Sequence, residues 1–124
     1  MITGIGVDIV QVERMERWRK KTGLFERYFH PDELAAALSR GAGADISLAA
    51  RFAAKEAFGK ALGTGLEGIA LKDILVVNLR NGRPEMRVFG TAKEALKKNG
   101  ADRIHLSLTH ETDNAVAMVV LESQ

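Results

Sequence analysis

The chain has 124 residues, 46% of them hydrophobic, which fits one compact domain and leaves little room for a second. Eighteen basic and sixteen acidic residues give a formal charge of +2, and the pI near 9.1 tilts toward acidic partners without requiring nucleic acid. The absence of cysteine excludes disulfides, thiol nucleophiles and thiolate metal sites, and His30, His105 and His110 lack zinc-ligand spacing. The longest apolar run, Ala115 to Leu121, is seven residues, against the roughly 20 of a membrane helix. The N-terminus carries no signal-peptide pattern, so the expectation is a cytoplasmic protein with neither a membrane nor a nucleic-acid partner. A domain of this size forms a cleft, and a deep pocket for a large ligand needs walls from another subunit.

Ile5, Val7 and Ile9 alternate with Gly6, Asp8 and Val10, the period of a strand, and predict that the Ile5, Val7, Ile9 face is the buried one. Gly4, Gly6 and Asp8 share the other face. The aspartate thus stands on a surface bare of side chains, where another backbone or a ligand can approach closely. A strand-end aspartate capping the next helix is the plainer reading. Val12, Met15 and Trp18 recur at helical spacing before Thr22-Gly23, and a short amphipathic piece follows with Phe25, Tyr28 and Phe29. Between Gln11 and His30 lie six cations and three acids, a local +3; the rest of the chain sums to −1. That is the one basic stripe in the chain, and its plainer reading is a solvated helix face.

Pro31 suits the first turn of a helix reaching about Arg40, with Asp32 and Glu33 at its positive end. Ser47 or Asp45 can cap a longer helix that ends at Gly63. Ile74 to Leu79 and Arg83 to Phe89 are joined through Asn81-Gly82, a two-residue hairpin signal, with Pro84 at an edge or bulge. Thr91 and Glu94 form a capping-box pattern for a helix ending near Gly100. Ile104 to Thr109 and Ala115 to Leu121 read as two closing strands. The order of elements predicts an α+β fold with a mainly antiparallel sheet packed on a long central helix.

The segment Leu48 to Leu62 is apolar nearly all round, with alanines on one arc and Leu48, Phe52, Phe58 and Leu62 on the other, so it should be buried. Yet it carries Arg51, Lys55, Glu56 and Lys60. Ionised groups out of water cost several kcal/mol each unless paired, so an anionic ligand, a metal or an edge-facing geometry must compensate. Against this stands snorkelling of the long stems to the rim, with Glu56 and Lys60 as a simple helical pair. Asp8 and Glu56 make a sparse pair of hard oxygen donors. Mg²⁺ characteristically takes one or two carboxylates and completes its shell with water and substrate phosphates, and the nearby cations suit phosphoryl chemistry.

Two patterns mislead. Gly63 to Gly68 matches G-x-G-x-x-G but follows a helix instead of a strand, against the dinucleotide-binding fingerprint. Ser107, His110 and Asp113 invite a hydrolase triad, but Ser107 lies mid-strand without a nucleophile elbow. His110, at a strand end, is a candidate phosphate or hydroxyl contact or a turn histidine bonded to backbone.

Three segments together resemble the holo-[acyl-carrier-protein] synthase family, the small bacterial 4′-phosphopantetheinyl transferases: Gly4-Ile5-Gly6-Val7-Asp8-Ile9-Val10, Arg51-Phe52-Ala53-Ala54-Lys55-Glu56-Ala57-Phe58-Gly59-Lys60-Ala61 through Gly65, and His105-Leu106-Ser107-Leu108-Thr109-His110. The resemblance implies transfer of the phosphopantetheine arm of coenzyme A to a serine of apo acyl carrier protein, with release of adenosine 3′,5′-bisphosphate, in support of fatty acid biosynthesis. It implies Mg²⁺ held by Asp8 and Glu56, with Lys60 contacting the phosphates, and one transferase domain spanning residues 1–124. It implies a homotrimer with active sites between subunits. Arg51, Lys55, Gly63, Gly65, Thr109 and His110 would bind the substrate, and Arg14, Met15, Arg17, Lys20 and Lys21 would dock the acidic carrier. His30-Pro31 departs from the Ser or Thr cap frequent in relatives, and Leu71-Lys72-Asp73-Ile74 lacks a common aromatic. The general base stays open between Glu56, Asp8 and water at the metal. A non-catalytic module holding a coenzyme A-like ligand uses the same cations, but it does not need Asp8 and Glu56 to converge.

Overall fold

The computed structural model describes residues 1–124. In chain order it comprises β1 (Ile2–Gln11), α1 (Glu13–Arg19), α2 (Leu24–Tyr28), α3 (Pro31–Leu38), α4 (Ala44–Leu62), β2 (Ile74–Asn78), β3 (Pro84–Val88), α5 (Gly90–Asn99), β4 (Arg103–His110) and β5 (Asn114–Glu122). One antiparallel sheet has the order β1-β5-β4, and β2 and β3 form a separate antiparallel pair. The α+β architecture with a long helix is as expected. Helix α4 lies across one face of the larger sheet and supplies much of the core, from Leu48 to Leu62.

The faces of β1 are the reverse of the expectation. Ile5, Val7 and Ile9 are 62, 54 and 60% exposed, whereas Gly6 and Val10 are buried. The bare glycine face does accept another backbone: a Cβ on Gly4 or Gly6 would lie 1.9 or 2.1 Å from the carbonyl oxygen of Ala61 or Ala57. The alanine arc of α4 and the glycines of β1 therefore pack backbone to backbone. Removing side chains from both surfaces lets them approach more closely than ordinary packing allows, and that contact takes precedence over burying the β-branched residues.

The β-branched face is continued by neighbouring strands. Val120, Met118 and Val116 of β5 stand beside Ile5, Val7 and Ile9, and His105, Ser107 and Thr109 of β4 complete the row. No element of the chain covers this face.

Several end signals resolve differently from the sequence pattern. His30 caps α3 through its ring, Nδ1 accepting from the Asp32 N–H at 3.0 Å, and Glu33 closes a capping box by accepting from the His30 N–H at 3.0 Å. Neither Ser47 nor Asp45 caps α4, which begins at Ala44; Ser47 accepts from Arg51 and Asp45 from Arg19. Thr91 and Glu94 form no capping box. Asp73 takes that role by accepting from both the N–H and the hydroxyl of Thr91, at 2.8 and 2.6 Å. The hairpin loop holds three residues, not two: Leu79 N–H bonds Arg83 O, and Gly82, at φ 85°, supplies the left-handed position that a three-residue loop requires.

Candidate active site

The close approach of β1 to α4 places Asp8 against Glu56 and Lys60. Lys60 Nζ donates to Asp8 Oδ1 at 2.9 Å and to the Val7 carbonyl at 3.2 Å. The hydrogen bond and the Asp8 charge raise the Lys60 pKa, so the ammonium is held charged at the surface. Glu56 is half-buried and makes no side-chain hydrogen bond. Burial first, then the charge of Asp8, pushes its carboxyl up, against opposing pulls from Lys60 and Arg14.

Two carboxylates that repel each other, one without a hydrogen-bond donor, fit a divalent cation, which relieves both repulsion and desolvation. No group of three or more histidine, cysteine or acidic side chains gathers anywhere in the chain. The donor set is therefore an incomplete one, and Mg²⁺ tolerates this because it completes its shell with water and substrate phosphate. Arg14, on the basic helix α1, is close enough to Glu56 to depress its pKa, so the cationic stripe borders the carboxylate pair.

The remaining expected site residues divide. Arg51 and His110 line one cleft of about 690 Å³ together with Arg40, Ser47, Asn78 and Gly82. Lys55 does not face a ligand. It is fully buried, and its ammonium donates to Glu33 Oε1 at 2.6 Å, Ile74 O at 2.7 Å and Leu71 O at 2.9 Å, which uses all three protons. Desolvation lowers the pKa of both Lys55 and Arg51, while Glu33 raises it. Sequence reasoning missed Glu33 as the partner of these cations. Its helix-start position explained its charge without any need for Lys55, which lies 22 residues away.

Thr109 projects from the apolar row of the sheet, opposite the α4 side, and so does not join His110. The same alternation separates Ser107 from His110 and removes the hydrolase triad. Gly63 ends α4 in the left-handed region, at φ 82°. The loop it begins lines a second cleft, of about 860 Å³, against α5, through Thr64, Glu67 and Gly68. Gly65 is tied back by its N–H to Gly59 O at 3.0 Å. Met15 is fully buried and cannot dock a partner, whereas Arg17, Lys20 and Lys21 are exposed.

Residues 4–119 match the model of the 4′-phosphopantetheinyl transferase superfamily. The chain belongs to that family. This transferase is 58% identical to the holo-[acyl-carrier-protein] synthase of Treponema denticola over 98% of its own length and 99% of the relative's. Among solved structures, the holo-[acyl-carrier-protein] synthase of Neisseria meningitidis superposes with a TM-score of 0.89 at 36% identity, covering 99% of this transferase and all of that chain. That of Bacillus anthracis, in complex with coenzyme A (3′,5′-ADP), superposes with a TM-score of 0.83 at 36% identity, covering 100 and 99%.

Proposed function

We propose that the transferase moves the 4′-phosphopantetheine arm of coenzyme A onto a serine of apo acyl carrier protein with Mg²⁺ at Asp8 and Glu56, releasing adenosine 3′,5′-bisphosphate and serving fatty acid biosynthesis in the cytoplasm. The observation that carries the metal assignment is the Asp8–Glu56–Lys60 cluster: two mutually repelling carboxylates beside one charged ammonium. When bound, Mg²⁺ neutralises charge on the pyrophosphate of coenzyme A. Lys60 reaches the same phosphates and stabilises negative charge on the departing nucleotide. Arg51 and His110 hold the nucleotide half. The basic surface of α1 and the turn after it, with Arg14, Arg17, Lys20 and Lys21, receives the acidic carrier beside Glu56, so docking brings the serine to the carboxylate cluster.

The whole of residues 1–124 acts as one transferase domain, and three such chains form the active unit. Two observations support association of the chain with copies of itself. The row Ile5, Val7, Ile9, Val116, Met118 and Val120 is an apolar sheet face with no cover from its own chain, as expected of an association surface. Around α4, moreover, Glu56 and Lys60 are rotated from Arg51 by roughly 140° and 180° at about 100° per residue. Carboxylate cluster and nucleotide cleft therefore face opposite sides of one helix. A coenzyme A seated where the cluster of one chain meets the cleft of its neighbour reaches both without passing around the helix.

Calorimetric titration of Mg²⁺ tests the metal assignment. Binding should be weak to the protein alone and strong once coenzyme A is present, and Glu56→Ala should remove the difference. Equal Mg²⁺ affinity in wild type and Glu56→Ala contradicts the assignment.

A further inference from the structure

Glu33 is the most deeply buried acid in the chain and touches neither cleft nor carboxylate cluster. Its carboxylate is nevertheless fully engaged. Oε1 accepts from Lys55 Nζ at 2.6 Å and from the His30 N–H at 3.0 Å; Oε2 accepts from the Val76 N–H at 3.0 Å and lies 4.0 Å from Arg51 Nη1. Arg51 Nη1 in turn donates to the Val76 carbonyl. Both backbone groups of Val76 on the free edge of β2 are thus held by two side chains, one from α3 and one from α4.

A two-stranded hairpin alone is marginal in water, and β2–β3 has no third strand. Glu33 and Arg51 stand in for that strand at its outer edge. The hairpin they fix contributes Asn78, Gly82 and Pro84 to the 690 Å³ cleft, and Arg51 itself lines the same cleft. The buried group holds two cations against one carboxylate. The surplus positive charge is carried to the cleft by the guanidinium, whose Nη2 takes no hydrogen-bond partner within the chain.

We propose that Glu33 is a positioning residue for nucleotide recognition: it fixes Arg51 and the β2–β3 hairpin relative to each other, so that the cleft meets the nucleotide half of coenzyme A preformed. The proposal rests on the coenzyme A reading of this cleft. Preorganisation of this kind reduces the cost of ordering groups on binding and is felt in ligand affinity more than in the chemical step.

The test is Glu33→Gln. An amide matches the volume but must aim a donor either at Val76 N–H or at Lys55 and His30, so one clamp is lost whichever way it turns. Affinity for adenosine 3′,5′-bisphosphate, measured by calorimetry without metal, should fall about tenfold. In steady state KM for coenzyme A should rise by a similar factor, with kcat and KM for the carrier within about twofold of wild type. A second variant, Glu33→Asp, keeps the negative charge beside Lys55 but is one methylene too short to hold Lys55 and the Val76 N–H together. It should fold and show the same selective loss of nucleotide affinity. Wild-type nucleotide affinity in either folded variant, a fall in kcat without change in KM, or failure of both variants to fold overturns the positioning role. Absence of nucleotide binding by the wild type overturns instead the coenzyme A reading beneath it.

Discussion

Gly6 on β1 and Ala57 on α4 set the separation of the two elements that carry the reactive groups: a Cβ on Gly6 would stand 2.1 Å from the Ala57 carbonyl oxygen. No real Cβ sits so close to backbone oxygen, so any larger residue there drives the strand off the helix. Gly6→Ala should cost about 1–3 kcal/mol of stability by overpacking, read from denaturant midpoints. It should also lower transfer activity beyond the loss of folded protein, because Asp8 moves away from Lys60 and Glu56. A variant with wild-type specific activity per folded molecule contradicts this account of the contact.

Removing either carboxylate should stop the chemistry and spare the fold. Asp8 and Glu56 contribute little to the core, so Asp8→Ala and Glu56→Ala should melt near wild type. Their kcat should fall about 100-fold or more, the scale of losing a group that stabilises transition-state charge. Excess chelator should bring the wild type to the same residual rate.

The raised pKa of Glu56 has a defined consequence for stability. The folded protein holds this proton more tightly than the unfolded chain, whose glutamate titrates at about 4.3. The native state is therefore favoured below that pH, and the advantage is lost as pH climbs through the raised value. Relative to Glu56→Gln, the wild type should lose stability between acid and neutral pH in chelator. Mg²⁺ with coenzyme A should restore much of that loss at neutral pH and little of it in acid. Parallel pH-stability curves for the two proteins would contradict a Glu56 carboxyl pushed up by burial and by the charge of Asp8.

The uncovered sheet face predicts an assembly defect from a single charge. Val7 lies in the middle of β1 opposite Met118, both exposed and both apolar. Val7→Asp should reduce the sedimenting mass from that of the proposed trimer to that of one chain, because a charge buried at an apolar interface lacks a partner. If sites lie between subunits, activity should fall in step with trimer content. A variant that stays trimeric, or a fully active monomer, contradicts the shared-site arrangement.

The recurrence of local pattern made some of this architecture readable and not the rest. Strand β4 follows from alternation, β5 from an apolar run after a turn, although that run is buried on one face only, and the α4 terminus from Gly63, all short-range signals. Asp8 and Glu56 were legible as a pair because each stood out against apolar or bare surroundings. The orientation of β1 was not, since alternation finds two faces without telling which one meets a helix; the glycines of β1 and alanines of α4 decide that only when brought together. Lys55 read as a ligand contact for a related reason. Its partner Glu33 belongs to another helix, and a helix-start acid looks complete without it. The expected Thr91–Glu94 capping box gave way to Asp73, 18 residues before Thr91, for the same cause: nonlocal bonds replaced the local ones the pattern implied.

Docking of the carrier should depend on the charge of α1. Arg17→Glu combined with Lys20→Glu should raise KM for the acyl carrier protein and flatten its dependence on salt, with KM for coenzyme A nearly unchanged, since exposed charges chiefly steer association. Met15→Ala should instead lower stability by about 2–5 kcal/mol, as befits a buried core side chain. Wild-type carrier KM and salt dependence in the double variant would count against α1 as the docking surface.

The intact mass of the carrier shows whether the Asp8–Glu56–Lys60 cluster drives phosphopantetheine transfer. Apo acyl carrier protein incubated with the transferase, coenzyme A and Mg²⁺ should gain the mass of one phosphopantetheine arm and release adenosine 3′,5′-bisphosphate in equal amount. Glu56→Ala should leave the carrier mass unchanged over the same interval. An unmodified carrier with folded wild-type enzyme, or full modification by folded Glu56→Ala, would contradict the account.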